Sequence, residues 1–478
     1  MTVASAPPAP DRFVASAPPP VAVPQRVSKM LDGPILPTLL RLAIPNIVVV
    51  VVQATSSAVD AFWLGRLGPE VLAGVALVFP SWMLMVTMSA GGMGGGISSS
   101  VARALGARRH ADADELVTHS LVLAVALSAI FSAGVLLAGP SLYGAMAGSG
   151  ATAPVLAAAV AYSNVVFAGA LVVWLVNALG SLLRGSGEML VPAVVIVAGE
   201  LLHIALAPVL IFGLGPMPAL GVSGAGISLD TSYALRAAAL GAYLLARRAG
   251  ISLPIGRLRL QRSMFWEILR VGLPGSLNTV LTNANVMAIT SLVGPAGVFA
   301  LAGYGLAARL EYLQIPIVFG FGTALVTMVG TNVGAGQVQR ARRVAWVGAA
   351  VATLATGSVG LIAAFAPDAW LGLFTSEPAV LAVGGTYLRI VGPTFGLFGL
   401  GLALYFAAQG AGHLTWPLAA GFGRLVLAVG GGWLAIYGFQ SGLPWLFASV
   451  AVAFVAFGLV QALAVKWVIR ARPSSIGQ

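Results

Sequence analysis

The 478-residue chain contains no cysteine, which removes disulfides, iron–sulfur clusters, thiolate zinc sites and a cysteine nucleophile together. Charge is scarce as well. Asp, Glu, Lys and Arg make up 8% of the residues, against roughly 25% in a soluble globular chain, so a water-soluble enzyme or binding domain is excluded. The four histidines, His110, His119, His203 and His413, are scattered. No His-Glu-x-x-His or Gly-x-Ser-x-Gly run accompanies them, and Gly91–Gly96 is not followed by the Lys-Ser or Lys-Thr of a phosphate loop. An enzyme, a bound cofactor and a metal centre are therefore not expected. Short segments of strict alternation are missing too, which argues against an outer-membrane barrel.

What remains is apolar. The composition is 59% hydrophobic, with a mean hydropathy of +0.96. Apolar runs cover about 36–65, 71–102, 116–139, 152–180, 188–213, 221–246, 265–293, 298–332, 344–366, 380–409, 414–438 and 443–468. Each is about as long as the roughly 20 residues that cross a bilayer as a helix. An all-α integral membrane protein with 12 transmembrane helices is expected. Residues 1–34, rich in Ala and Pro, read as a disordered tail, and 471–478 as a second tail.

The net charge of +11 is a topology signal, not a nucleic-acid footprint, because the cations fall in bunches between apolar runs. Arg12, Arg26, Lys29 and Arg41 precede or open the first run; Arg103, Arg108 and Arg109 follow the second, and Arg184 the fourth. Arg247, Arg248, Arg257, Arg259, Arg262 and Arg270 follow the sixth, Arg340, Arg342 and Arg343 the eighth, and Lys466, Arg470 and Arg472 close the chain. By the positive-inside rule both termini are cytoplasmic, which leaves Arg66 as the clear outer-loop cation. The expected location is the cytoplasmic membrane, crossed many times.

The two halves repeat. LLRLAIP at 39–45 returns as ILRVGLP at 268–274, and Leu72-Ala-Gly74 as Leu301-Ala-Gly303. Arg184-Gly-Ser-Gly-Glu before Pro192 returns as Gln409-Gly-Ala-Gly-His before Pro417. Six spans per copy leave the copies in the same orientation, related by an axis along the membrane normal. Two pseudo-symmetric six-helix bundles are therefore expected, 35–248 and 264–470, joined by a basic cytoplasmic linker, 249–263, around a central cavity.

Ionisable side chains at bilayer depth cost at least about 2.5–3.5 kcal/mol and so mark cavities, partners or ion paths. Gln53, Ser56, Ser57 and Asp60 share one face of the first span by their spacing of three and four. Asp60 reads as a proton or cation acceptor at the end of a polar lining, or else as an interfacial partner of Arg66. Depth counted from the short 214–220 turn pairs His203 with Asp230 near the midplane and Glu200 with Arg236 one turn deeper. The first pair reads as titratable, with a neutral histidine bonded to a neighbouring helix as the alternative; the second reads as a structural tie or part of the same ion path. Asn283 and Asn285, with Gln53 and Ser57, are expected to line the substrate cavity. The glycines at 91–96 suggest close helix packing, and Pro45, Pro80, Pro274 and Pro316 suggest kinks.

Pro45, then Val59-Asp60-Ala-Phe-Trp-Leu-Gly65-Arg-Leu-Gly68, Ala104-Leu-Gly106, Arg184-Gly-Ser-Gly187 and Gly221-Val-Ser-Gly-Ala-Gly226 occur in that order. In this the chain resembles the multidrug and toxic compound extrusion (MATE) transporters over about residues 36–470. The resemblance implies alternating access by two bundles and export of organic cations or amphiphilic drugs and metabolites in exchange for H+ or Na+, by a monomer. Asp60 matches the family's first-helix coupling aspartate. The fifth helix departs: where many relatives carry Asn, three residues, then Asp-Pro, this chain has His203-Ile-Ala-Leu-Ala207-Pro208. Too few oxygens then remain for a sodium site, so proton coupling through Asp60, Asp230 and His203, with Glu200 nearby, is the expected mode. The alternative is a flippase of the same superfamily for a lipid-linked glycan, which would need Arg236, Arg389 and Arg424 in the cavity.

Overall fold

The protein is described from a computed structural model, over residues 25–147, 152–213, 217–246, 250–253 and 259–469. Most of the N-terminal tail, the turn residues 214–216, Arg247, Arg248, Arg257, Arg470, Arg472, the tail 471–478 and the side chain of Pro316 lie outside this set.

Among the described residues regular structure is helical throughout. A short helix, α1 (Gln25–Asp32), precedes α2 (Ile35–Gly65), α3 (Pro69–Gly106) and α4 (His110–Ala147). Then come α5 (Ala153–Ala168) and α6 (Ala170–Gly185), α7 (Leu190–Phe212) and α8 (Gly221–Leu245). The second half runs α9 (Arg262–Val293), α10 (Val298–Gly334), α11 (Val338–Phe365), α12 (Pro378–Ala411), α13 (Thr415–Gly438) and α14 (Leu443–Val468). Nine described stretches are long and apolar enough to cross a membrane, or ten if α5 and α6, bent by 46° at Gly169, form one span. Their outward faces fit lipid: Leu137 and Phe365 are 84% and 88% exposed, which in water would be unfavourable for side chains of this size.

The repeat seen in the sequence is also a repeat of backbone conformation. Gly68 and Gly297, at equivalent positions before α3 and α10, take φ of 116° and 99°. Gly187 and Gly412, just past α6 and α12, take φ of 85° and 83°. A side chain would be strained at these angles, so glycine is retained in both copies. The break between α5 and α6 at Gly169 has its counterpart in the 3-10 turn Gly392–Thr394 within α12.

The halves meet along small residues. A π-helical turn at Met88–Met93 widens α3 where its glycines face the second half. A Cβ on Gly92 would meet the Ser276 backbone at 2.6 Å, and one on Gly96 the Gly272 nitrogen at 2.9 Å. These glycines allow the close packing expected of them. At one end the contact is ionic: Arg103 reaches Glu267 at 3.3 Å and donates to the Gly410 carbonyl at 3.1 Å, while Arg270 holds the same carboxylate at 2.7 Å.

One correction concerns the N-terminal tail. Residues 25–32 are helical and packed, with Val27 and Met30 each 2% exposed. Arg26 pairs with Glu188 of the first half, while Asn332 donates to the Met30 carbonyl and Arg340 to that of Gly33 from the second. The stretch Gln25–Asp32 is amphipathic, and the interface between halves supplies the apolar surface that an eight-residue helix needs to be stable. The rest of the expected tail, residues 1–24, lies outside the described set.

Candidate functional site

Asp60, His203 and Ser228 form one chain of contacts across α2, α7 and α8. The Nε2 of His203 lies 3.0 Å from both Oδ1 and Oδ2 of Asp60. Its Nδ1 is 2.8 Å from Ser228 Oγ, which is also 3.3 Å from the His203 carbonyl oxygen. When the hydroxyl donates to that carbonyl, Nδ1–H donates to Oγ and the Nε2 lone pair faces Asp60. In that arrangement a proton on either a carboxyl oxygen or Nε2 would bridge the two side chains. Exposure differs sharply along the chain. The Asp60 side chain is 28% exposed and that of His203 2%, so the carboxyl is the accessible end of the chain and the imidazole its buried middle.

The expected pairing of His203 with Asp230 is not what the structure places together. His203 meets Asp60 instead, and the reason is helical geometry. Ser228 and Asp230 are two residues apart on α8, about 200° around the axis, so a helix that presents Ser228 to His203 turns Asp230 away. Asp230 faces the break at Gly169, where an added Cβ would lie 2.2 Å from its Cγ. Its Oδ1 is buried and accepts no hydrogen bond. Tyr162 of α5 lies within electrostatic reach of both Asp60 and Asp230. Neither Tyr162 nor Ser228 stood out in the sequence; only the spacing of Ser228 from Asp230 could have signalled it.

Arg66 is not the partner of Asp60 either. Its guanidinium sits over the rings of Phe62 and Trp63, at 4.7 and 5.2 Å. Deeper in the same half, Glu200 and Arg236 do pair, with NH1 to Oε1 at 2.9 Å. The remaining donors of Arg236 reach Ser232 Oγ at 3.1 and 2.7 Å, and its plane covers Tyr233 at 4.5 Å. Every charge in this knot is answered, as burial of an ion pair requires.

In the second half, Asn283 and Asn285 are separated by the same two-residue geometry. Asn283 is exposed and donates to the Thr279 carbonyl, while Asn285 is buried with Oδ1 unpartnered. They do not line one cavity side by side. Gln53 is half-buried and Ser57 exposed on α2. Glu311 accepts a hydrogen bond from the Tyr387 hydroxyl at 2.5 Å. Arg424 donates to Thr282 at 3.1 Å and lies over Phe398 and Phe457.

Residues 45–209 and 274–434 each match the MatE family profile, one match per half. The chain belongs to the MatE family. This MATE transporter is 28% identical over 383 residues to the "FAD transporter" of Shewanella oneidensis, an alignment covering 79% of this chain and 82% of the relative. It is 26% identical over 393 residues to the "Probable multidrug resistance protein NorM" of Thermotoga maritima, covering 80% and 82%. Among solved structures, an outward-facing multidrug resistance MATE transporter superposes with a TM-score of 0.84 at 25% identity, over 94% of this chain and 98% of that one. The order of motifs in the MATE transporter's sequence had pointed to the same family.

Proposed function

We propose that this chain is a multi-pass transporter of the cytoplasmic membrane that exports organic cations or amphiphilic drugs and metabolites in exchange for protons by alternating access. In this reading α2 to α14 make 12 spans in two lobes, 35–248 and 264–470, around a linker at 249–263, with both termini cytoplasmic. The end closed by Arg103, Glu267 and Arg270 is then the cytoplasmic end.

The observation that carries the proposal is the partly exposed Asp60 carboxyl bonded to a buried His203. A proton neutralises the pair; a cationic substrate is favoured when the pair is negative. Each therefore binds the form of the lobe that the other has left, which makes exchange obligatory. Proton coupling is preferred over sodium because the carboxylate faces an imidazole nitrogen where a sodium site would supply oxygens, and only the Ser228 hydroxyl adds one. Asp230, which like Asp60 lies near Tyr162, is the second carboxyl of this lobe and in this reading affects how readily the pair loads. Glu200, held by Arg236, ties α7 to α8 and takes no part in exchange.

The flippase alternative needs free cations in a cavity. Arg236 is spent on Glu200 and Arg424 is covered by two phenyl rings, while Arg389 is exposed, so two of the three cations this reading needs are already engaged and it is disfavoured. The FAD-transporting relative instead supports a second cargo class, an aromatic compound bearing phosphate. Efflux of a cationic dye and of a flavin from a pump-deficient bacterium, under imposed pH or sodium gradients, separates these readings. Dye efflux driven by sodium at fixed pH, with no proton exchange, would overturn the ion assignment.

A further inference from the structure

We propose that the interface between the two halves is a binding site for a small inorganic anion of chloride size, held between Arg184 and Gln409. These two residues occupy equivalent positions in the repeat, 225 apart, and the pseudo-twofold relation brings them to one small cavity. Gly91, Ser98, Ser181, Thr323 and Phe406 are among the residues that line it, and it has room for about one water-sized body.

Arg184 is 8% exposed and donates through NH2 to Ser181 Oγ at 2.9 Å. Among the described residues no carboxylate lies within ion-pair distance of it. The acidic groups nearest along the chain and across the interface are already engaged: Glu188 by Arg26 and the Tyr243 hydroxyl, Glu267 by Arg103 and Arg270. A guanidinium has five N–H donors, and an uncompensated charge at this burial is costly, so it calls for a counter-charge. The rest of the wall adds donors. Ser181 accepts from Arg184, which leaves its own O–H to give. Gln409, 1% exposed, uses one Nε2 hydrogen on the Gly91 carbonyl at 3.0 Å and keeps the second. Ser98 and Thr323 donate to the Ser181 and Gly320 carbonyls, so their oxygens do not supply the charge. A guanidinium, a hydroxyl and an amide thus converge on a space with no anionic acceptor.

Gly95 clears the space, since a Cβ there would lie 2.1 Å from Gln409 Nε2. Because the donors come from both halves, the anion bridges them and is released when they part. The proposal does not depend on what is transported.

The test uses purified full-length protein in lipid nanodiscs. Thermal unfolding is followed in sodium chloride and in sodium gluconate at equal ionic strength, and crystals are grown with bromide. The expected result is a midpoint several degrees higher in chloride, saturating with concentration, and an anomalous bromide peak between Arg184 and Gln409. Arg184→Gln abolishes the chloride dependence, while Arg184→Lys keeps part of it. Equal midpoints in the two salts, or a cavity that takes water and no bromide, overturn the proposal. If Arg184→Gln does not fold, the bromide map of the unaltered protein decides alone.

Discussion

Replacing Asp60 by Asn tests the coupling chemistry without removing its hydrogen bonds. The carboxamide still reaches His203 Nε2 across 3.0 Å and can donate to it, so folding is expected to change little. What disappears is the exchangeable proton shared by the carboxyl and the imidazole. In the proposed mechanism the pair alternates between a protonated and a deprotonated form, so one proton exchanged per turnover is expected. One pH unit is worth about 1.4 kcal/mol per proton. Electroneutral exchange for a monovalent cation then accumulates substrate about tenfold per pH unit at equilibrium, because 1.4 kcal/mol is a factor of ten in an equilibrium constant. Acid on the side that receives substrate drives export. The assay is accumulation of a fluorescent cation in oriented proteoliposomes across imposed steps of pH, with lipid-only vesicles as blank. The unaltered chain is expected to give a slope of about ten per unit, and Asp60→Asn a ratio near unity at every step with substrate binding retained. A slope near one hundred means a second coupled proton; an unchanged slope in Asp60→Asn removes the pair from the mechanism.

Other perturbations follow from the same geometry. Asp230→Asn is expected to slow pH-driven accumulation while leaving its end-point unchanged; a changed end-point would make Asp230 a proton carrier in its own right. Glu200→Gln strands the Arg236 charge and should destabilise the fold by about 3–5 kcal/mol, as loss of one partner of a buried pair does. Adding Arg236→Gln should return much of that in denaturant titrations, and no loss in the single variant would show the knot to be idle. Gly169→Ala forces a Cβ to 2.2 Å from the Asp230 carboxyl carbon, an overpacking expected to cost about 1–3 kcal/mol. Asp230→Ala in the same chain should restore the thermal midpoint; failure to do so would place the clash elsewhere.

Much of the architecture is legible in composition and period. Lipid leaves the backbone no hydrogen-bonding partner but itself, so long apolar runs become helices whatever their neighbours are. Each of the twelve runs corresponds to a helix or a broken pair, although α4, His110–Ala147, extends well past the apolar run at 116–139 because its polar first turns continue the helix beyond the greasy part. The repeat was likewise visible, since a glycine with φ near 100° tolerates no substitute and leaves a matching letter in each copy. Glu200 and Arg236 could be paired by counting residues from a short turn, because depth along two antiparallel helices is a linear quantity.

Azimuth is not. Which side of a helix faces which neighbour depends on how all the helices pack, and that is why depth alone assigned His203 to Asp230 when rotation gives it to Asp60. The same limit hid Tyr162, the Glu311 and Tyr387 contact, and the meeting of Arg184 with Gln409. The letters by themselves determined that the chain is helical, duplicated and built for lipid, since those properties follow from local hydropathy and backbone sterics. Tertiary packing alone decided which polar groups touch and which cation is buried without a carboxylate beside it among the described residues, because contacts between residues more than a hundred positions apart are set by helix rotation, which no local pattern records.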